Sequence, residues 1–202
     1  MTLWRGDTPL ILASQSRARQ MLLRNAGIEA EAIPAEIDER AVQAAAGTTA
    51  PSAIAALLAR EKALVVAACH PRRHIIGADQ TLALGDRLFN KPDGRAGAFD
   101  QLRVLAGHSH RLHSAVVVAR DRTILFEHVA VASMTMRALS ESDISAYLDA
   151  AGEAVAASVG AYQLEGLGVH LFERIDGDHF TILGLPLLPL LGFLRSQRLL
   201  AF

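Results

Sequence analysis

Apolar positions along this chain fall into short unbroken runs and into stripes at helical spacing. Leu10-Ile11-Leu12-Ala13 is unbroken and reads as a buried strand over about residues 9–14. Met21, Leu22 and Leu23 then belong to a helix over about 17–26, stopped by Asn25-Ala26-Gly27. Residues 29–47 show no period and read as irregular, with acids at Glu36, Asp38 and Glu39. Pro51 suits the first position of a helix that runs to about Cys69. Its stripe is Ile54, Leu57, Leu58, Leu64 and Val65, which at 100° per residue puts Glu61 near the centre of the apolar face and Lys62 on its flank. A carboxylate there is costly unless it is paired or bound to a cation.

His74–Asp79 ("HIIGAD") predicts a second buried strand that ends at an acid. A turn region follows, then a helix ending at Gly107 with Phe99, Leu102 and Leu105 on its core side. "RLHSAVVVAR" and "TILFEHVAVASMTM" predict two long strands around Asp121-Arg122. Ser140 and Asp143 have the spacing of a helix capping box. "VGAYQLEGLGVHLFERIDGDHF" reads as a glycine-interrupted strand and turn, and a last helix begins near Pro186. Strands mixed with helices give an α/β class, and the two adjacent long strands predict a mixed sheet.

Composition narrows the function. Net charge is −1 and the isoelectric point is near 6.7, which leaves no basic stripe for nucleic acid or an anionic membrane. Apolar residues make up 51% of the chain, much of it alanine. The most lipid-like run, Thr181–Leu194, is too short to span a bilayer and contains Pro186 and Pro189. The first residues lack the apolar core of a signal peptide. The lone Cys69 excludes an internal disulfide and fits a reducing compartment. A cytoplasmic protein is the expectation.

Ser14, Ser16, Arg19, Glu61, Lys62, Asp79, Lys91 and Glu165 do not fit a pure core reading. Most fall at strand ends or helix starts, where α/β sheets place their sites. The sharpest anomaly is the first turn of the first helix, which carries Arg17 and Arg19 and no acid. A helix N-terminus is already partially positive, so arginine there asks for an anion. The plain alternatives are a serine cap, a turn acid and a solvated lysine. His108, His110 and His113 mimic a metal cluster, but strand geometry sends His113 to the opposite face from the other two. The Gly-x-Gly of "GLGVHLFE" lacks the full dinucleotide fingerprint.

In order, "LILASQSRARQMLL", "AREKA", "IIGADQT", "NKP", "LAGHSH", "VGAYQLEGLG" and "ILGLPL" cover nearly the whole chain. Together they resemble the Maf family. The resemblance implies one domain over residues 1–202 with the fold of inosine-triphosphate pyrophosphatases. That fold is an α/β mixed twisted sheet flanked by helices, with a cleft between two lobes. It also implies hydrolysis of nucleoside triphosphates to monophosphate and pyrophosphate with a divalent metal, Mg²⁺ or Mn²⁺, and a homodimer. A non-catalytic nucleotide-binding regulator of cell division is the rival from another class.

Carried over residue by residue, the resemblance makes Ser14, Ser16 and Arg19 a phosphate cradle and Lys62 and Lys91 point charges on the outer phosphates. Asp79 becomes the group that holds or deprotonates the attacking water, and Asp79, Glu39 and Glu61 the acids nearest the metal. Ala18, Gln80 and Glu165 fall on positions that set substrate preference. The usual acid and base before the Gly-Ala-Tyr motif are replaced by Ala157 and Ser158. "GADQ" and "EGLGVHLFE" resemble the 7-methyl-GTP branch, although that branch has Trp where this chain has Ala18. Glu165, in place of the family's Gln, fits guanine, because an ionised carboxylate can accept from both N1–H and the 2-amino group. UTP or dTTP is the alternative substrate within the family.

Overall fold

The computed structural model describes residues 3–202, apart from the side chains of Ala154, Ala156 and Ala157. The departure at Ala157 therefore lies outside the described residues. Seven strands form one sheet, in the order β2 (Ala30–Ala32), β1 (Leu10–Leu12), β3 (Ile75–Leu84), β5 (Ser109–Arg120), β6 (Thr123–Met136) and β7 (Phe172–Asp176), with β4 (Arg87–Phe89) on the far end of β3. β1 runs parallel to β2 and β3, whereas β3/β4 and β6/β7 are antiparallel, so the sheet is mixed. Asp121 and Arg122 join β5 to β6 with φ of 49° and 68°. Positive φ at both positions marks the primed hairpin turns that match strand twist.

The chain divides into two compact units. The first comprises residues 1–80, 114–130 and 179–202, and the second residues 81–113 and 131–178. In the first unit β1 and the first-unit stretches of β3 and β5 are buried on both faces. Ile11, Ala13, Ile75, Ala115 and Val117 face helix α3 (Pro51–Cys69). Leu10, Leu12, Ile76, Val116 and Val118 face α1 (Arg17–Asn25) and α7 (Leu187–Ser196). Such strands read as unbroken apolar runs. The second unit holds α4 (Gly94–Leu105) and α5 (Glu141–Ala151), with short 3₁₀ turns between residues 152 and 171. Ser140 and Asp143 form the expected capping box on α5.

Four expectations are corrected. Residues 29–47 are not irregular. They contain β2 and α2 (Glu39–Ala45), and α2 escaped notice because it buries no residue and so has no apolar period. The packed face of α3 fully buries only Ile54 and Leu58 of the expected stripe. It is the row Ala55, Ala59, Ala63, Ala67 with Ile54, Leu58 and Val66, while Val65 is exposed. Glu61 therefore lies off the packed face, and Lys62 lies beside it. The second strand does not end at Asp79 but runs on to Leu84, which makes Asp79 a mid-strand acid. Finally, Val159–Ala161 and Leu167–Leu171 are 3₁₀ turns rather than strand, a turn falls at residues 164–166, and Phe172–Asp176 is the strand.

Candidate functional site

Close packing creates the site in the first unit. A Cβ on Gly77 would lie 2.2 Å from the Ala59 carbonyl oxygen and 2.8 Å from the Ala63 Cβ, so β3 and α3 touch backbone to backbone there. Strand residues two apart share a face. Asp79 therefore points to the same side as Gly77, toward α3, where Lys62 adjoins Ala63. The Lys62 ammonium donates to Asp79 Oδ1 at 2.5 Å and sits 2.6 Å from Glu39 Oε1. Glu39 reaches it from the first turn of α2, which Asp38 caps by accepting from the Ala41 N–H. An acid suits that end of a helix dipole.

Ala78 and Gln80 point the other way. Ser14 and Ser16 close the turn from β1 into α1. The Ser14 hydroxyl oxygen accepts from the Ser16 N–H and from Arg19 Nη1, each at 3.2 Å. Ser16 is the N-cap and accepts from the Arg19 N–H. Arg19 is buried. Its Nε donates to the Gly184 carbonyl at 2.8 Å and its Nη1 to the Ala78 carbonyl at 2.7 Å. The basic first turn thus has a local explanation: the arginine is held by backbone carbonyls and attracted by Asp79 and Glu39. Burial lowers its pKa and the two carboxylates oppose that shift. Burial also raises the Asp79 pKa, against the pull of Lys62 and Arg19. Two cations and two anions make this cluster neutral as it stands.

Several groups remain uncommitted. A hydroxyl has two acceptor sites and one donor, so Ser14 keeps its O–H to give. Arg19 Nη2 has no hydrogen-bond partner among the described residues, and the ammonium of Lys62 keeps a third N–H. The second oxygens of Asp79 and Glu39 are also left over. Donors therefore stand beside acids, an arrangement that accepts an anion and a cation together.

The other expected residues are distributed as follows. Gln80 Nε2 donates to the Ser114 hydroxyl and to the carbonyls of Thr181 and Ile182, at 2.8, 3.1 and 3.0 Å. Its amide nitrogen thus clamps the turn that carries Gly184, and only its oxygen is left to meet a ligand. Ala18 is half-buried on α1 against the apolar core. Glu61 is half-buried without a partner among the described residues. Those residues contain no group of three or more His, Cys, Asp or Glu side chains able to hold a metal. Lys91 and Glu165 belong to the second unit, and both are exposed, Lys91 after β4 and Glu165 in the turn before Leu167–Leu171. Glu165 makes no ion pair among the described residues.

Residues 9–197 match the sequence family described as Maf-like protein. The chain is 70% identical over 201 residues, the full length of both chains, to the nucleoside triphosphate pyrophosphatase of Bradyrhizobium diazoefficiens. It is 66% identical over 201 residues, again all of both chains, to the nucleoside triphosphate pyrophosphatase of Rhodopseudomonas palustris. It is 56% identical over 190 residues, 93% of this chain and 95% of the relative, to the 7-methyl-GTP pyrophosphatase of Rhizobium etli. The motifs that run from Leu10 to the last helix are thus those of a shared family, and the chain belongs to the Maf-like proteins.

Proposed function

We propose that this protein is a nucleoside triphosphate pyrophosphatase that hydrolyses the α–β phosphoanhydride and favours 7-methyl-GTP. The observation that carries the proposal is the quartet of Arg19, Lys62, Asp79 and Glu39 beside the serine turn, with Arg19 and Asp79 buried and Glu39 exposed. A water molecule held by Asp79 attacks the α-phosphorus, the anhydride bond breaks, and pyrophosphate leaves. The raised pKa of Asp79 makes it a better base than an ordinary carboxylate. Ser14, Ser16 and Arg19 bind phosphate oxygens with directed donors, Arg19 through its planar fork. Lys62 adds a point charge on the same polyphosphate. Lys91 is assigned to the outer phosphates and Glu165 to the base, with Ala18 and Gln80, on the strength of the motif resemblance.

The donor set also fits a divalent ion. Two carboxylates converge on one ammonium, which occupies the place of a cation. One or two carboxylates completed by substrate phosphates is how Mg²⁺ is usually held. Asp79 and Glu39 would hold it, with Glu61 as the further acid the resemblance suggests. When bound, the ion neutralises charge on the phosphates. A homodimer, which rests on the resemblance, and residence in the cytoplasm, which rests on the lone cysteine, complete the proposal. Among the described residues no helix is long and apolar enough to cross a membrane.

A pyrophosphate-release assay with 7-methyl-GTP, GTP, UTP and dTTP, with and without Mg²⁺, tests it. The expected result is metal-dependent release, fastest with the methylated nucleotide. Fastest release from UTP or dTTP would replace the substrate. Tight triphosphate binding without release would replace the enzyme with a nucleotide-binding regulator.

A further inference from the structure

The segment that presents Glu165 is held by side chains to which none of the roles above is assigned. Gly160 has φ of 80°, and a Cβ there would lie 2.6 Å from Leu82 and 2.7 Å from the Tyr162 ring. Its N–H donates to Gln101 Oε1 at 3.1 Å. The Tyr147 hydroxyl donates to the Ala161 carbonyl at 3.2 Å. Tyr162 is buried, with its ring edge-on to Phe172, and its hydroxyl lies 2.7 Å from His110 Nε2. Farther on, a Cβ on Gly168 would lie 2.4 Å from the Gln163 carbonyl oxygen, so the turn folds closely on itself. Both ends of residues 160–168 are fixed, and Glu165 stands exposed between them.

His110 is fully buried, and its Nδ1 has no hydrogen-bond partner among the described residues. A buried polar atom without a partner costs stability, so an apolar residue would pack here more cheaply. The polar group at this position makes one hydrogen bond, and that bond goes to Tyr162. Burial pushes the imidazole pKa down to about 4, so the ring is neutral near pH 7 and the bond is between uncharged groups.

We propose that His110 is a positioning residue for base selection: its bond to the Tyr162 hydroxyl fixes the turn on which Glu165 meets the nucleotide base. The proposal rests on the pyrophosphatase reading and goes beyond it, because it assigns discrimination to a residue that touches no substrate. Neither residue is assigned to the phosphates, so losing their bond is expected to leave the hydrolytic step alone.

The test compares wild type with Tyr162→Phe, His110→Gln and the double variant. Tyr162→Phe keeps the ring and removes only the hydroxyl, so it folds. Kinetics of pyrophosphate release are measured for 7-methyl-GTP, GTP and UTP. Loss of one neutral hydrogen bond predicts that Tyr162→Phe lowers the kcat/KM ratio between the preferred nucleotide and the others about 5-fold. The change falls on KM, with kcat held, and the double variant loses no more than either single one. A kcat/KM ratio unchanged in Tyr162→Phe, or an equal fall in kcat for every nucleotide, would overturn the proposal. Wild-type protein that releases no pyrophosphate from any nucleotide would instead overturn the functional reading beneath it.

Discussion

The quartet of Arg19, Lys62, Asp79 and Glu39 and the turn that carries Glu165 are built in opposite ways. The quartet sits on regular elements in the first unit. Its charged groups are the proposed functional groups: Arg19 and Asp79 are buried, and Lys62 pairs with both Asp79 and Glu39. In the second unit the support is neutral, a buried His110 on Tyr162 and a half-buried Tyr147 on Ala161, while the assigned group, Glu165, is exposed and makes no ion pair among the described residues. The difference suits the two tasks. Phosphates are alike in every nucleotide, so their binding groups can be locked into a core. Bases differ, and a reader on an exposed turn can be exchanged without disturbing packing.

The sharpest way to break this comparison is Asp79→Asn. The change is nearly isosteric and removes the proposed base, so turnover should fall about 10²–10⁴-fold while triphosphate binding persists. Turnover within a few-fold of wild type would strip Asp79 of that role. Next is Lys62→Met, which leaves the Asp79 charge buried without its partner. Urea unfolding should show a loss of about 3–5 kcal/mol. The half-exposed Glu39 end of the same pair is worth at most about 1 kcal/mol, so Glu39→Gln should barely register. Equal losses would mean that the two carboxylates are equivalent.

Arg19→Lys keeps the charge but loses the fork that grips Gly184, Ala78 and phosphate. Isothermal titration should show triphosphate affinity reduced by about 1.5–3 kcal/mol and nucleoside affinity nearly unchanged. Equal weakening of both would make Arg19 purely structural. The smallest effect is expected from Glu165→Gln. Stability should not move, and preference should shift from guanine-type nucleotides toward UTP by about 1 kcal/mol, read as a ratio of kcat/KM values. An unchanged ratio would detach Glu165 from the base.

The two regions also differed in how far their sequence could be read. Leu10–Leu12 and Arg17–Asn25 match the expected strand and helix closely, because a buried strand and an amphipathic helix each leave a period. Arg19 and Asp79 drew attention as charges set in apolar surroundings. The pairing of Lys62 with both Asp79 and Glu39 was not legible. It depends on which face of α3 is packed, and alanine-lined faces carry little hydrophobic signal. Leu57 and Leu64 are only half-buried and Val65 is exposed, so the stripe they suggest centres on Glu61 rather than on Lys62. In the second unit the short 3₁₀ turns have no period, so Val159–Ala161 and Leu167–Leu171 carry no signal that separates them from a glycine-interrupted strand and turn. His110 was noticed only as one of three spaced histidines, and its partnership with Tyr162, 52 residues away in sequence, has no local trace.

The bare α-carbon of Gly77 sets a distance in this protein. With no methyl group there, α3 rests directly on β3, and the ammonium of Lys62 comes within 2.5 Å of Asp79. Any larger side chain would act as a shim, lifting the helix and carrying the ammonium away from the acid by a comparable amount. The reach between cation and base is therefore calibrated by an atom that is missing from a residue with no chemistry of its own. Bulk at Gly77 would therefore alter the contact between Lys62 and Asp79 without touching either side chain.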